Sequence, residues 1–337
     1  MSVKDIRLAL AGCGLFAESH LQALRAVPGA RAVAVYDIDR GRAEYLARVF
    51  DVPTVCDSIA ELCGHPEADA VDVVTPEHLH TEAVLLACEA GKHVFVEKPL
   101  ALDVAEGDRM IDAFEKTDLV LMPGHILRFE TKYASLREEV ASSRLGRVVS
   151  MQARRNRPRA LLGRYSRVHP AHVNCIHDID LMLWYAGQPV RRVRGYERNI
   201  HGGSKPDVFW GVIEFEGGAV GVVEAAWLLE EQGGVVLDDA FHLMGATGAA
   251  HLSAFPPPLS YWTSDGFAVP DVSYNPLIRG AAFGALRDEL SYFCDCVRLR
   301  RKPEVIRPVE ARNAVRVALA LTESAAAGRD VEIQDWR

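Results

Sequence analysis

Short apolar runs alternate with amphipathic stretches over the first third of the chain. The runs cover Ile6–Ala11, 32–36, 70–74, 93–96 and 119–122, and are rich in Val, Ala and Leu. Unbroken apolarity means that both faces of a strand are covered, as in a parallel sheet flanked by helices. The intervening stretches 15–27, Arg40–Phe50, 79–90 and 105–116 read as helices. Strand–helix alternation of this length predicts βαβ units and a doubly wound sheet.

The pattern changes after Gly124. Strand-like segments follow at 148–155, 193–198, 209–215, 219–227, 241–245 and 259–262, with Gly217-Gly218 as a hairpin turn between two of them. A long helix is predicted over 170–185, stopping at Gly187, and two more over 282–298 and 309–326. The second half is therefore expected to be α+β with a largely antiparallel sheet. A length of 337 residues agrees with two domains. We place them at residues 1–123 and 124–337.

Composition narrows the class. With 49% hydrophobic and 25% charged residues the chain has a real core, which excludes disorder and a small disulfide scaffold. A net charge of −8 argues against a nucleic-acid binder. No apolar run approaches the ~20 residues that a membrane span needs. The seven cysteines form no C-x-x-C pair, so no metal site or redox motif is expected. The amino terminus shows no charged segment followed by an apolar one, which predicts a cytoplasmic protein.

The first strand runs into Gly12-Cys13-Gly14-Leu15-Phe16-Ala17, the G-x-G-x-x-G/A pattern between a strand and a helix. The first glycine allows the tight turn, the second admits a pyrophosphate to the backbone, and the small third residue lets helix and strand pack. The helix amino terminus offers free N–H groups and a favourable dipole. The second strand ends at Asp37, whose carboxylate would accept hydrogen bonds from ribose hydroxyls and repel a 2′-phosphate. The first domain is thus expected to be a Rossmann domain, with NAD as cofactor. Arg40 keeps NADP open, because an arginine there would accommodate the phosphate.

Two further segments narrow the reading. One is Thr75-Pro76-Glu77-His78-Leu79-His80, leading to Ala90-Gly91-Lys92-His93, and the other is Glu97-Lys98-Pro99. With Gly124-His125, Arg128-Phe129, His177-Asp178-Ile179-Asp180, Trp227 and Gly245-Ala246-Thr247-Gly248, this succession resembles the glucose-fructose oxidoreductase / inositol dehydrogenase / MocA family over nearly the whole chain. The resemblance implies an NAD(P)-dependent dehydrogenase of a sugar, cyclitol or similar polyol. It implies a carboxy-terminal domain with an open-faced sheet, through which a homodimer or homotetramer would form. It also implies that Gly12, Gly14, Leu15, Phe16, Asp37, Thr75, Pro76, His78, His80, Glu97 and Lys98 line the cofactor. Lys98, Arg128, Arg157, His177 and Asp180 are the expected substrate residues.

Proton transfer must accompany movement of a hydride from a carbinol carbon. Lys98 lies at the carboxy-terminal end of a strand, where open α/β sheets bind ligands. A nearby cationic nicotinamide and partial burial would lower its pKa, which suits a general acid/base. His177 is the second candidate, with Asp180 on the same helical face.

Two positions depart from the family pattern. Val173 replaces an Asp four residues before the histidine, which leaves Lys98 with His177 alone, or a substitute such as His169, His172 or Asn174, or a changed chemistry. Ile126 stands where many relatives have Asn. Seven arginines at 147, 154, 155, 157, 159, 164 and 167 raise the alternative of an anionic substrate. Two other readings accompany the dehydrogenase: a nonredox glycoside-cleaving enzyme that retains NAD, and a catalytically silent NAD(P)-binding regulator.

Overall fold

The computed structural model describes residues 5–165, 167–230, 237–254, 257–264, 266–334 and 336. Contacts divide the chain into two compact units, Met1–Thr131 with Asp271–Arg312, and Lys132–Pro270 with Asn313–Arg337.

In the first unit the strands are β1 (Ile6–Ala11), β2 (Ala30–Tyr36), β3 (Thr54–Val55), β4 (Ala70–Val73), β5 (His93–Glu97) and β6 (Leu121–Gly124). They form one parallel sheet in the order β3-β2-β1-β4-β5-β6. The helices between them are α1 (Leu15–Arg25), α2 (Arg40–Phe50), α3 (Ile59–Cys63), α4 (His80–Glu89) and α5 (Val104–Glu115). Their starts are written in local chemistry. Asp39 accepts the Arg42 N–H, Ser58 accepts the Glu61 N–H, and Asp103 accepts those of Ala105 and Glu106. These caps satisfy amides that the first helical turn leaves unpaired.

The division differs from a continuous split at 123/124, because Asp271–Arg312 clusters with the amino-terminal residues. The cause is the apolar face of a helix in that segment (Ala285–Leu299). Its Leu286, Leu290, Phe293, Cys294 and Val297 are buried in the same core as Leu8, Val71, Val94 and Phe95.

The second unit holds α6 (Thr131–Ala141, but for its first residue), β7 (Val148–Pro158), α7 (Leu162–Tyr165), α8 (Pro170–Val173), α9 (Cys175–Ala186), β8 (Val190–Arg198), β9 (Val208–Phe215), β10 (Val220–Leu229), β11 (Asp238–Gly245) and β12 (Ala249–Ser253). Two small ribbons follow, β13 (Tyr261–Thr263) with β14 (Gly266–Ala268), and β15 (Leu277–Ile278) with β16 (Ala281–Ala282), the latter in the first unit. The last elements are α10 (Ala285–Leu299), α11 (Pro308–Ala327) and β17 (Val331–Glu332). The large sheet runs β12-β11-β7-β10-β9-β8-β17, and its β7–β10 pair is parallel while the others are antiparallel.

Alternation divides this sheet into two faces. Met151, Ala153, Val223, Ala225, Phe209, Ile213, Phe241 and Leu243 are buried on one. Tyr196, Trp210, Val220 and Met244 lie exposed on the other. Two predicted elements differ. The single helix over 170–185 parts at Asn174, which closes α8 and precedes α9 with φ of −102° and ψ of −59°. The strand expected at 259–262 is the small ribbon strand β13, outside the large sheet.

Candidate active site

All strands of the six-stranded sheet run parallel, so the carboxy-terminal ends of β1, β2, β4 and β5 share one rim. The strand order reverses between β1 and β4, which is where such sheets bind ligands. Gly12 turns the chain there with φ of +93°, and a Cβ on it would stand 2.8 Å from the Val74 carbonyl oxygen. Gly14 is the amino-terminal cap of α1 and caps it with no side chain. A Cβ on Gly14 would meet nothing within 4 Å. Gly12 is thus demanded by the protein's own backbone, whereas Gly14 keeps a path open to the first-turn amides. Leu15 is 63% and Phe16 42% exposed, two apolar side chains held at this opening.

Asp37 completes the rim. Its Oδ2 accepts the Cys13 N–H at 2.6 Å and its Oδ1 the Asp39 N–H at 2.8 Å. Each oxygen retains a lone pair for a ribose hydroxyl. Arg42 donates to the Cys13 carbonyl at 3.0 and 3.2 Å and fixes the glycine turn from the other side. Arg40 is ion-paired with Glu44 at 2.8 Å and with Asp57, so its charge is drawn toward acids of its own chain. Burial, seconded by the Asp37 charge, pushes the Cys13 thiol up to about 12 and keeps it protonated.

The loop after β4 places Thr75 half-buried, with Pro76 and His78 exposed. Thr75 Oγ1 is buried with no hydrogen-bond partner among the described residues. An orphaned buried hydroxyl of this kind needs a ligand or a water to satisfy it. Together with the open helix terminus and the Asp37 carboxylate, it fits a dinucleotide. His80 departs from its expected role. It is buried, with Nδ1 3.0 Å from the Pro99 carbonyl and Nε2 3.0 Å from that of Thr75. Both ring nitrogens face backbone oxygens, so His80 braces the two loops and offers no ring atom to a cofactor.

Glu97 ends β5 and is buried, while Lys98 is half-buried at the rim and joined to Pro99 by a cis peptide bond. The Lys98 N–H donates to Glu97 Oε2 at 3.1 Å. Glu97 Oε1 lies 3.3 Å from His20 Nε2, and His20 Nδ1 lies 2.9 Å from Asp72 Oδ2. Arg128 also departs from its expected role. Its side chain, 1% exposed, donates to the Val305 carbonyl at 2.7 Å and pairs with Glu310 at 3.0 Å. A guanidinium buried and neutralised in this way holds the fold together and is not presented to a substrate.

In the second unit His177 stands half-buried in the first turn of α9, and Asp180 is buried one turn on. Of the three possible substitutes for the missing Asp, His169 is committed to structure. Its Nδ1 accepts the Ala171 N–H at 3.0 Å, so the proton lies on Nε2 and is donated to Glu197 at 3.1 Å. His172 is buried, and burial, followed by the charges of His169 and Lys205, lowers it to about 4. His172 Nδ1 and Asn174 Nδ2 are buried without hydrogen-bond partners among the described residues. Val173 is buried beside them.

The arginines are divided by the pleat of β7. Arg154 pairs with Asp238 at 3.0 Å on the open face. Arg155 and Arg157 point to the opposite face, where Arg155 joins Asp178 at 2.7 Å and Asp239 at 2.9 Å. Arg157 grips both oxygens of Asp239. Burial raises the Asp239 carboxyl, but Arg155 and Arg157 outweigh it and hold it below the usual carboxylate range. Arg159 pairs with Glu230 at 3.2 Å. The Arg164 side chain lies outside the described residues. Two arginines against two aspartates make the inner network neutral, so Arg157, expected on the substrate, has its charge satisfied within the protein.

The profile described as oxidoreductase family, NAD-binding Rossmann fold, matches residues 6–125, and that of the GFO/IDH/MocA C-terminal domain matches 133–251. The chain belongs to the GFO/IDH/MocA oxidoreductase family. As a GFO/IDH/MocA protein it is an NAD-binding oxidoreductase, in keeping with the rim just described. It is 27% identical to scyllo-inositol 2-dehydrogenase (NAD(+)) of Bacillus subtilis, over 98% of this chain and 96% of that one. Among solved structures, myo-inositol 2-dehydrogenase from Lactobacillus plantarum matches with a TM-score of 0.86 and 22% identity, over 98% of this chain and all of that one. Scyllo-inositol dehydrogenase from Lactobacillus casei, with bound NAD(H) and scyllo-inositol, matches with a TM-score of 0.84 and 18% identity, over 98% and 99% of the two chains. The structural likeness is one of fold.

His20 and Asp72 went unnoticed in the sequence, although a signal was present. His20 shares the buried stripe of α1 with Ala17, Leu21 and Leu24. Asp72 interrupts an otherwise apolar strand. A polar group at a core position demands partners.

Proposed function

We propose that this GFO/IDH/MocA protein is an NAD-dependent dehydrogenase of a neutral cyclic polyol, an inositol or a close relative, with Lys98 as general acid/base and His177 assisting. The observation that carries this reading is the half-buried Lys98 on the rim that also bears Gly14 and Asp37. When bound, the dinucleotide supplies the hydride acceptor. The protein's own groups must then take the hydroxyl proton, and an amine at a strand end can do so. Gly12, Gly14, Leu15, Phe16, Asp37, Thr75, Pro76 and His78 would hold the cofactor, with Glu97 positioning Lys98. Asp37 and the ion-paired Arg40 favour NAD over its 2′-phosphate.

A neutral substrate is favoured because Arg154, Arg155, Arg157 and Arg159 already carry acidic partners. The inositol class comes from the names of the relatives. The exposed apolar face bearing Tyr196, Trp210, Val220 and Met244 supports assembly of like chains through this sheet. Among the described residues no helix is long and apolar enough to cross a membrane.

The test is to follow reduced nicotinamide against myo-inositol, scyllo-inositol, uronates and sugar phosphates. Absorbance rising with an inositol and not with the anions is the expected result. Product without net reduction would instead indicate a nonredox enzyme, and turnover confined to anionic sugars would overturn the neutral-polyol reading.

A further inference from the structure

Three ionisable side chains lie together beneath the rim, and the proton-transfer reading uses only one of them indirectly. His20 is fully buried on α1, Asp72 on β4 is 1% exposed, and Glu97 on β5 is buried. The imidazole lies between the two carboxylates, 2.9 Å from Asp72 and 3.3 Å from Glu97. A neutral imidazole has one N–H, so it can donate to only one of them. The Nδ1 contact is a hydrogen bond, whereas Nε2 and Glu97 Oε1 stand at ion-pair distance, both buried and without another partner among the described residues, an arrangement that calls for an imidazolium between two carboxylates. Burial opposes that charge, but Asp72 and Glu97 outweigh it and lift the group to about 10.

The surroundings leave these groups little freedom. The rings of Phe16 and Phe95 meet the imidazole edge-on at 4.9 and 5.8 Å. A Cβ on Gly124 would stand 2.8 Å from Glu97 Oε1 and 2.9 Å from the Phe95 ring. The β6 backbone therefore closes the space into which the Glu97 carboxylate would swing. Other titratable neighbours are spent. Cys294 of α10 senses Asp72 and is pushed up to about 12, chiefly by burial, and His80 of α4 senses Glu97 while facing two carbonyls. A buried charged cluster is poor value for stability alone, since well-packed apolar residues often do as well. What this one does is join α1, which opens the phosphate-binding turn, to the backbone that carries Lys98.

We propose that His20 is a positioning residue for Lys98: held by Asp72, its ring fixes the Glu97 carboxylate that receives the Lys98 N–H, so that the dinucleotide-binding helix and the proton-transfer amine are set as one piece. The inference rests on the reading of Lys98 as the acid/base. A misplacement of about 1 Å at a reacting group can cost about 10²-fold in rate.

Two measurements test it. In the intact protein, nitrogen NMR of the histidine rings at a pH of about 8 should show both His20 nitrogens protonated, although ordinary histidine is neutral above about 6.5. A singly protonated His20 ring at that pH would overturn the proposal, and this reading needs no variant to fold. In kinetics with NAD and scyllo-inositol, His20→Asn places its amide toward Asp72 and leaves Glu97 Oε1 without its histidine partner. Its kcat should fall by about 10–100-fold while the Kd for NADH changes far less. His20→Gln, which reaches toward Glu97, should recover part of that loss, an order that loss of packing would not produce. Wild-type kcat in His20→Asn, beside a Lys98→Ala enzyme without turnover, would overturn the inference alone. Turnover retained in Lys98→Ala would overturn the acid/base reading beneath it.

Discussion

The Asp37 carboxylate accepts the Cys13 N–H at 2.6 Å, which ties the end of β2 to the glycine turn after β1. One side chain therefore shapes the phosphate loop and presents charge to the ribose. Asp37→Ser should raise the Kd for NAD and cut the preference for NAD over NADP by about 10–100-fold, the range of a charge-assisted hydrogen bond. Titration of the variant with both dinucleotides checks this, and an unchanged preference would remove Asp37 from cofactor selection.

Gly12 and Gly14 should separate folding from binding. Gly12→Ala brings a Cβ to 2.8 Å from the Val74 oxygen at φ of +93°. It should lose at least about 1–3 kcal/mol of stability, visible as an earlier denaturant midpoint. Gly14 has φ of −67° and open space around its Cβ position. Gly14→Ala should keep the wild-type midpoint and weaken dinucleotide binding, because the methyl group occupies the approach to the α1 amides.

His172 links stability to acidity. Its folded-state value of about 4 lies below the ordinary 6.5, so the unfolded chain takes up the proton first. Stability tied to the neutral ring is complete above about pH 6.5 and is lost as the pH falls toward 4. The full loss is on the order of 3 kcal/mol. Denaturation of the wild type and of His172→Gln across this window should show the gap between them closing or reversing toward acid. A constant gap would contradict the assignment.

Arg128 and Arg157 test the neutral-substrate reading. Arg128 is buried and donates to the Val305 carbonyl as well as pairing with Glu310, so its removal leaves a cavity and an unsatisfied carbonyl, while Glu310 keeps Arg307; the expected cost is about 2–4 kcal/mol. Arg128→Ala should therefore be read as lost stability, with KM unchanged in the fraction that folds. Arg157→Ala frees Asp239 from one of its two arginines. It should alter KM for neutral and acidic polyols alike. A loss confined to acidic substrates would restore Arg157 as an anion-binding residue.

The amino-terminal architecture was legible because its signals are strong and local. Continuous apolar runs marked β1, β2, β4 and β5, and Arg40–Phe50 is the helix the spacing predicts. Thr54–Val55 and Ile59–Cys63 were too short to show a period. The membership of Asp271–Arg312 in the first unit depends on which core receives the apolar face of α10, and no local pattern encodes that. The same limit applies to the site. Residue types placed Asp37 and Lys98 at strand ends, where parallel strands bring them to one rim. The partners of Arg128, Arg157 and His80 come from 182, 82 and 19 residues away in the sequence, so charge that looked available was already committed.

The most direct test of the whole account is the turnover of Lys98→Met, a side chain of similar length without the amine, with NAD and an inositol that the wild type oxidises. The protein should still fold and bind NADH, and its rate of NAD reduction should fall by about 10²–10⁴-fold, the usual worth of a general acid/base. Undiminished reduction in that variant would contradict the account, because the proton would then be leaving through a group other than Lys98.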